Sequence, residues 1–132
     1  MAFLTHSTDS GRVPSIEYLP CGAITPKVGM ALIQTGGNLG VATGDKKPTY
    51  ISMMDSDITL TAGDLIPVIR VLPDMIFETT NSAAFTSVKR GDRVTLHASN
   101  GLQVTATVAG GTAEVIEISG TVAGSNILVR FS

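Results

Sequence analysis

Short apolar runs separated by glycine, asparagine and proline constrain the fold of this chain more than any other feature. Between residues 28 and 71 each run is only a few residues long, and the breaks include residues 36–38 and 44–48. Glycine and asparagine accept the positive φ angles that tight β-turns require. Runs this short do not sustain helices, so the pattern predicts a series of short antiparallel strands, one of them near residues 58–60.

The run at residues 65–71 is rich in β-branched side chains and contains Pro67. Proline has no N–H to donate to a neighbouring strand. We therefore expect this run to form an edge strand, or to carry a bulge at Pro67.

The second half of the chain carries a similar pattern. Residues 29–43 align with residues 91–107 with small gaps, and residues 58–71 resemble residues 120–131. In this half, the dipeptide Asn100-Gly101 predicts a type I′ hairpin turn. Two interpretations stay open: a true internal repeat with halves 21–80 and 81–132, or chance similarity between segments rich in Gly, Thr, Ala and Val.

Together these patterns predict an all-β protein, with a small β-barrel or β-tulip-like body of short antiparallel strands over residues 21–132. Residues 1–20 have no sustained hydrophobic period and are predicted to form an extended N-terminal arm. Such arms often become ordered when they bind a partner. A chain of 132 residues can bury enough apolar surface to fold without a metal or a disulfide. The single cysteine, Cys21, is predicted to be a small buried hydrophobe.

Charge and hydrophobicity narrow the functional classes. A net charge of -2 argues against nucleic-acid binding, which relies on clustered Lys and Arg. Only 15% of the residues are charged, so much of the surface is expected to contact protein. No apolar run approaches the roughly 20 residues of a membrane-spanning helix, and the N-terminus lacks a signal-peptide pattern. We expect that the protein has no membrane partner and that it assembles in a cytoplasm.

No pattern of reactive residues predicts an enzyme. The glycine-rich residues 36–46 lack the spacing of a phosphate-binding loop, because an aspartate precedes the lysine. Asp55 and Asp57 lack the remaining ligands of a calcium loop. His6 and His97 have no metal-ligating residue at a usual spacing. We expect no catalytic residue, no metal and no cofactor.

Three segments resemble the capsid decoration proteins of tailed bacteriophages: the hairpin at residues 29–44, the strand at residues 63–71, and residues 90–107. The resemblance covers most of residues 21–131 and lies in the pattern of strands, without a catalytic motif. It implies a structural protein that binds the outer surface of a phage shell and stabilises the expanded state. The second half is longer than a minimal decoration protein needs, so it could be a second barrel or part of one interleaved sheet.

The same resemblance implies a partner and a set of contacts. The partner would be the major capsid protein, the protein would act as a homo-oligomer with a trimer favoured, and its location would be the virion exterior after assembly in the host cytoplasm. The apolar side chains of the arm are the candidate capsid contacts: Phe3, Leu4, Ile16, Tyr18 and Leu19. Deleting residues 2–19 is expected to leave the body folded and to abolish binding to the shell.

Two other classes of function stay open. Another virion component, such as a tail-tube, head-completion or fibre protein, would form rings or tubes or occupy a single vertex. A soluble β-barrel binding module for glycans or peptides would be expected to expose aromatic side chains. The chain has no Trp and only two Tyr, which supplies a sugar-stacking surface poorly.

Overall fold

The computed structural model describes residues 2–8 and 14–131, which form ten β-strands and, within these ranges, no helix. The strands are β1 Leu4–Thr8, β2 Ile16–Pro20, β3 Ala31–Thr35, β4 Asn38–Val41, β5 Tyr50–Ser52, β6 Leu65–Arg70, β7 Met75–Thr80, β8 Arg93–Val94, β9 Ala113–Ile118 and β10 Asn126–Phe131. The all-β prediction is confirmed.

The strands form two antiparallel five-stranded sheets. Sheet A has the order β1-β7-β10-β9-β8, and sheet B has the order β2-β6-β5-β3-β4. The two sheets are not closed into one barrel, which corrects that detail of the sequence prediction. The two end strands of sheet B meet at a parallel bridge between Cys21 and Leu39, where the Gly22 N–H donates to the Leu39 carbonyl at 2.8 Å.

Two hydrophobic cores hold the sheets. The larger core combines side chains from both sheets, and its largest members are Phe3, Phe77 and Phe131. The smaller core is built on sheet B and includes Leu32 and Leu39. Sheet B is therefore apolar on both faces, which explains why its strands lack a clean alternation of apolar and polar residues.

The hairpin predicted at residues 36–38 is confirmed. β3 pairs with β4 up to the pair Thr35 and Asn38, and the two intervening glycines have φ angles of 60° and 86°. By contrast, residues 58–60 form no strand. This segment contacts residues 24–25, where the Leu60 N–H donates to the Ile24 carbonyl at 2.8 Å and the Thr25 and Thr59 hydroxyls lie 3.0 Å apart.

Pro67 lies in β6, which has β2 on one side and β5 on the other, so the expectation of an edge strand or a bulge is wrong. Pairing with β5 ends at Val68, opposite Ser52. The carbonyl of Pro67 still accepts the Met53 N–H at 2.9 Å. In an antiparallel strand, the N–H and C=O of one residue point to the same side. The N–H that Pro67 lacks would therefore point toward β5, just beyond the last residue pair of the β5–β6 ladder.

The turn at Asn100 and Gly101 forms, but not as type I′. Gly101 has a φ of 64°, whereas no described residue other than glycine has a positive φ. Instead the side-chain oxygen of Asn100 accepts the Leu102 N–H at 2.8 Å. The Gly101 carbonyl accepts the Ala31 N–H of β3 at 2.8 Å, so this turn links the second half of the chain to sheet B.

The two possible halves of the body do not correspond to the two sheets. β7 lies within residues 21–80, yet it belongs to sheet A with the strands of residues 81–132. In the sequence alignment, β3 and β4 correspond to residues 93–97 and 103–107, which pair through an antiparallel bridge between Leu96 and Val104. The order β6-β5-β3-β4 therefore recurs as β10-β9-β8 followed by residues 103–107. The topology thus repeats along with the sequence pattern, and β2 and β7 are the first strands of the two similar units.

Residues of the predicted N-terminal arm belong to both sheets. β1 pairs with β7, and β2 pairs with β6. Phe3 is 1% exposed, and its ring centroid lies 5.2 Å from that of Phe131 in an edge-on arrangement. The Phe3 N–H donates to the Gly29 carbonyl at 2.9 Å. Gly29 has a φ of 81°, and a Cβ there would clash with the Cβ of Ala2.

This packing does not agree with the expectation that the body folds without residues 2–19. Their deletion would remove the end strand of sheet A, most of the end strand of sheet B, and Phe3 from the larger core. The strand pairing of β1 is not evident from the sequence, because four of its five side chains are exposed and no apolar alternation marks a buried face.

Candidate protein-interaction surface

A groove of about 470 Å³ lies between β1 and β2, where the two sheets are not joined to each other. Its lining is mainly apolar and includes Leu4, Ile16, Val28, Met53, Ile69 and Met75. Ile69 and Met75 belong to the larger core, so the groove reaches into the interior between the sheets. Among the described residues, no strand pairing joins the two sheets on this side.

The rim of the groove continues into a set of exposed apolar side chains. We call Leu4, Ile16, Tyr18, Val28 and Leu65 the apolar face. They are five of the eight large hydrophobic residues that are exposed in the described part of the chain, with Ile16 57% and Tyr18 66% exposed.

The register of β2 and β6 explains why the face is continuous. Residues two apart on a strand, and residues directly opposite on a paired strand, point to the same side of a sheet. Ile16 lies opposite Ile69, Tyr18 opposite Pro67, and Pro20 opposite Leu65. The apolar side chains therefore form one strip from the groove to the start of β6.

The structure brings together three of the five capsid contacts predicted from the sequence. Leu4, Ile16 and Tyr18 belong to the apolar face. Phe3 is buried in the larger core and offers no exposed side chain, and Leu19 is partly buried against the smaller core. Phe3 therefore lies outside the apolar face, although it contributes to the lining of the groove.

Sequence reasoning missed Val28 and Leu65, because both were assigned to the body. A signal was available in β6, where apolar residues occupy successive positions and so must lie on both faces of the strand. Which face of β6 stays exposed depends on where sheet A packs, and the sequence does not show this.

Charged side chains border the apolar face next to Val28. The Lys27 ammonium donates to the Ser56 carbonyl at 2.7 Å and lies 3.5 Å from an Asp57 carboxylate oxygen and 3.9 Å from one of Asp55. One cation therefore faces two carboxylates, and this corner of the surface keeps a net negative charge.

A second charged group lies on the other face of sheet B, because Glu17 and Arg70 are adjacent in sequence to Ile16 and Ile69 and so point away from the apolar face. The Arg70 guanidinium makes two hydrogen bonds to the Glu17 carboxylate, at 3.3 and 3.4 Å, and lies over the Tyr50 ring with 5.2 Å to its centroid. Hydrogen bonding to Glu17 raises the pKa of Arg70 above its usual range. The pair is neutral as a whole and does not border the apolar face.

Cys21 is buried at the start of the smaller core, as the sequence predicts. Burial, and secondarily the charge of Asp64, raises the pKa of its thiol. Reaction with an alkylating reagent needs the thiolate. We expect the native protein at neutral pH to be alkylated at least about tenfold more slowly than the protein in denaturant, as followed by mass spectrometry. Equal rates in the two states would contradict this placement of Cys21.

Residues 2–8 and 14–131 lack two further features. No group of three or more His, Cys, Asp or Glu side chains is arranged to hold a metal ion there. No helix in these ranges is long and apolar enough to cross a membrane.

No protein-family model matches this chain, and no curated protein is significantly similar to it. The fold and the surface define a two-sheet β-protein with an exposed apolar face and an open groove on its N-terminal strands.

Proposed function

We propose that this protein is a structural component of a tailed-phage virion that binds the major capsid protein on the outer surface of the shell. One observation carries the proposal: β1 and β2 place Leu4, Ile16 and Tyr18 on one exposed apolar face beside an open groove. Contiguous apolar patches on soluble proteins commonly mark sites of protein interaction. Residues 29–44, 63–71 and 90–107 resemble decoration proteins, and this resemblance implies that the partner is the major capsid protein.

Binding of this kind stabilises the expanded shell if the site is complete only in that state. A ligand shifts an equilibrium by its difference in affinity for the two states. A shell repeats the same site many times, so modest affinity at each site adds up over the whole particle. Association into a homo-oligomer, with a trimer as the proposed form, would place several apolar faces on neighbouring subunits and raise the effective affinity further.

Co-sedimentation with expanded and unexpanded shells of the parent phage tests the proposal. We expect saturable binding to expanded shells, at many copies per shell, and weaker binding to unexpanded shells. Binding at a single vertex, or assembly of the free protein into rings or tubes, would identify a different virion component. A protein that binds neither shell at any concentration overturns the proposal.

A further inference from the structure

The lining of the groove between β1 and β2 and the charges around it indicate which kind of segment of a partner it binds. We infer that it takes an extended segment of the capsid subunit, apolar where it enters the groove and basic at its margins. The inference rests on the proposed function, which names the capsid subunit as the partner.

The first argument comes from the backbone of β1. Among the described strands, β1 is the end strand of sheet A and pairs only with β7. Leu4, Thr5 and Thr8 all line the groove, although neighbouring residues of a strand point to opposite faces. The groove therefore runs along the open edge of β1. An extended segment can add to such an edge through main-chain hydrogen bonds.

The second argument comes from the floor of the groove. Ile69, Met53 and Met75 form it, and no described lining residue is charged. Methionine side chains adapt to the shape of an apolar group packed against them. The residues of the segment that point into the groove are therefore apolar, and alternate residues point away from it.

The third argument comes from the charges around the groove. Val28 and Met53 line it; Lys27 is next to Val28 and Asp55 is two residues from Met53 along the chain, and Asp57 joins this cluster through its ion pair with Lys27. The single cation of this cluster is already held by the Ser56 carbonyl and the two carboxylates.

A further carboxylate lies on the sheet A side, where Glu78 is directly opposite Leu4 in the β1–β7 ladder. The Glu17 and Arg70 pair is neutral and lies on the other face of sheet B. Among the described residues, the border thus has an excess of negative charge. A complementary segment carries Lys or Arg on its margins, and such charges mainly raise the association rate at low salt.

The test replaces Asp57, whose side chain is fully exposed, with lysine. Asp45→Lys is the matched control, since it makes the same charge change at an exposed residue outside the groove. Association with expanded shells is measured at low and high salt. We expect Asp57→Lys to slow association about three- to tenfold at low salt, with the difference lost at high salt, and Asp45→Lys to match the wild type. Hydrogen exchange of the β1 amides should also slow in the shell-bound protein.

The outcomes separate this inference from the proposed function. If the wild-type protein binds no shell, the proposed function fails. If it binds but Asp57→Lys behaves as Asp45→Lys does, or β1 exchange is unchanged on binding, the inference fails while the function stands. If Asp57→Lys instead changes the oligomeric state of the free protein, as measured by analytical ultracentrifugation, the groove is occupied by a second copy of the chain and the inference is overturned.

Discussion

Replacing Phe3 with alanine is expected to lower the free energy of unfolding by about 3–5 kcal/mol. Phe3 is almost fully buried, and its ring packs edge-on against Phe131, which in turn lies 5.5 Å from the Phe77 ring. Truncation removes buried apolar area and leaves a cavity in the larger core, and both effects destabilise the fold. Urea unfolding followed by circular dichroism measures the change.

Leu4→Ala is the matched control, because Leu4 is the next residue but is about half exposed. Its substitution is expected to change the free energy of unfolding by no more than about 0.5 kcal/mol. Similar small effects for both variants would contradict the packing of Phe3 and would favour an N-terminal arm that is separate from the body.

The double substitution Ile16→Asp and Tyr18→Asp is expected to weaken binding to expanded shells about 100-fold. Both side chains are mostly exposed on the apolar face, so the fold loses little when they change. Central apolar contacts of an interface commonly contribute about 1–2 kcal/mol each, and 1.4 kcal/mol corresponds to a tenfold change in affinity. Two buried, unpaired carboxylates at the interface would add a further penalty. Co-sedimentation over a range of protein concentrations gives the affinity.

Val122→Asp serves as the control for this double variant. Val122 is 71% exposed, in the turn before β10 and outside the apolar face. Its binding to the shell is expected to equal that of the wild type, and both variants should unfold at the wild-type urea concentration. If Val122→Asp loses binding to the same extent, any added surface charge interferes with binding. If the double variant binds as the wild type does, the apolar face is not part of the interface.

Much of the local structure could be predicted from the sequence because it depends on neighbouring residues. The glycine pair before Asn38 specifies the turn of the β3–β4 hairpin, whatever surrounds it. The apolar runs that became β6, β7, β9 and β10 are too short for helices and rich in β-branched or aromatic side chains. Burial of Cys21 followed from its chemistry as a lone cysteine.

The candidate interaction surface was only partly predictable. Leu4, Ile16 and Tyr18 are apolar residues in a segment whose sequence lacks the hydrophobic period of a buried strand or helix. The same reasoning also selected Phe3, because the sequence does not distinguish an apolar side chain that enters the core from one that stays exposed. That difference arises from Phe131, which lies at the far end of the chain and meets Phe3 only in the folded protein.

The sequence is therefore sufficient to predict the kind of secondary structure, the principal turns and the apolar character of the N-terminal residues. The folded structure is needed to show that those residues are end strands of two different sheets, that Pro67 lies within a sheet, and that no described pairing joins the sheets between β1 and β2. The physical reason is the range of the interactions. A turn depends on the φ angles of a few adjacent residues, whereas sheet order and the exposure of a face depend on pairings between residues far apart in the chain.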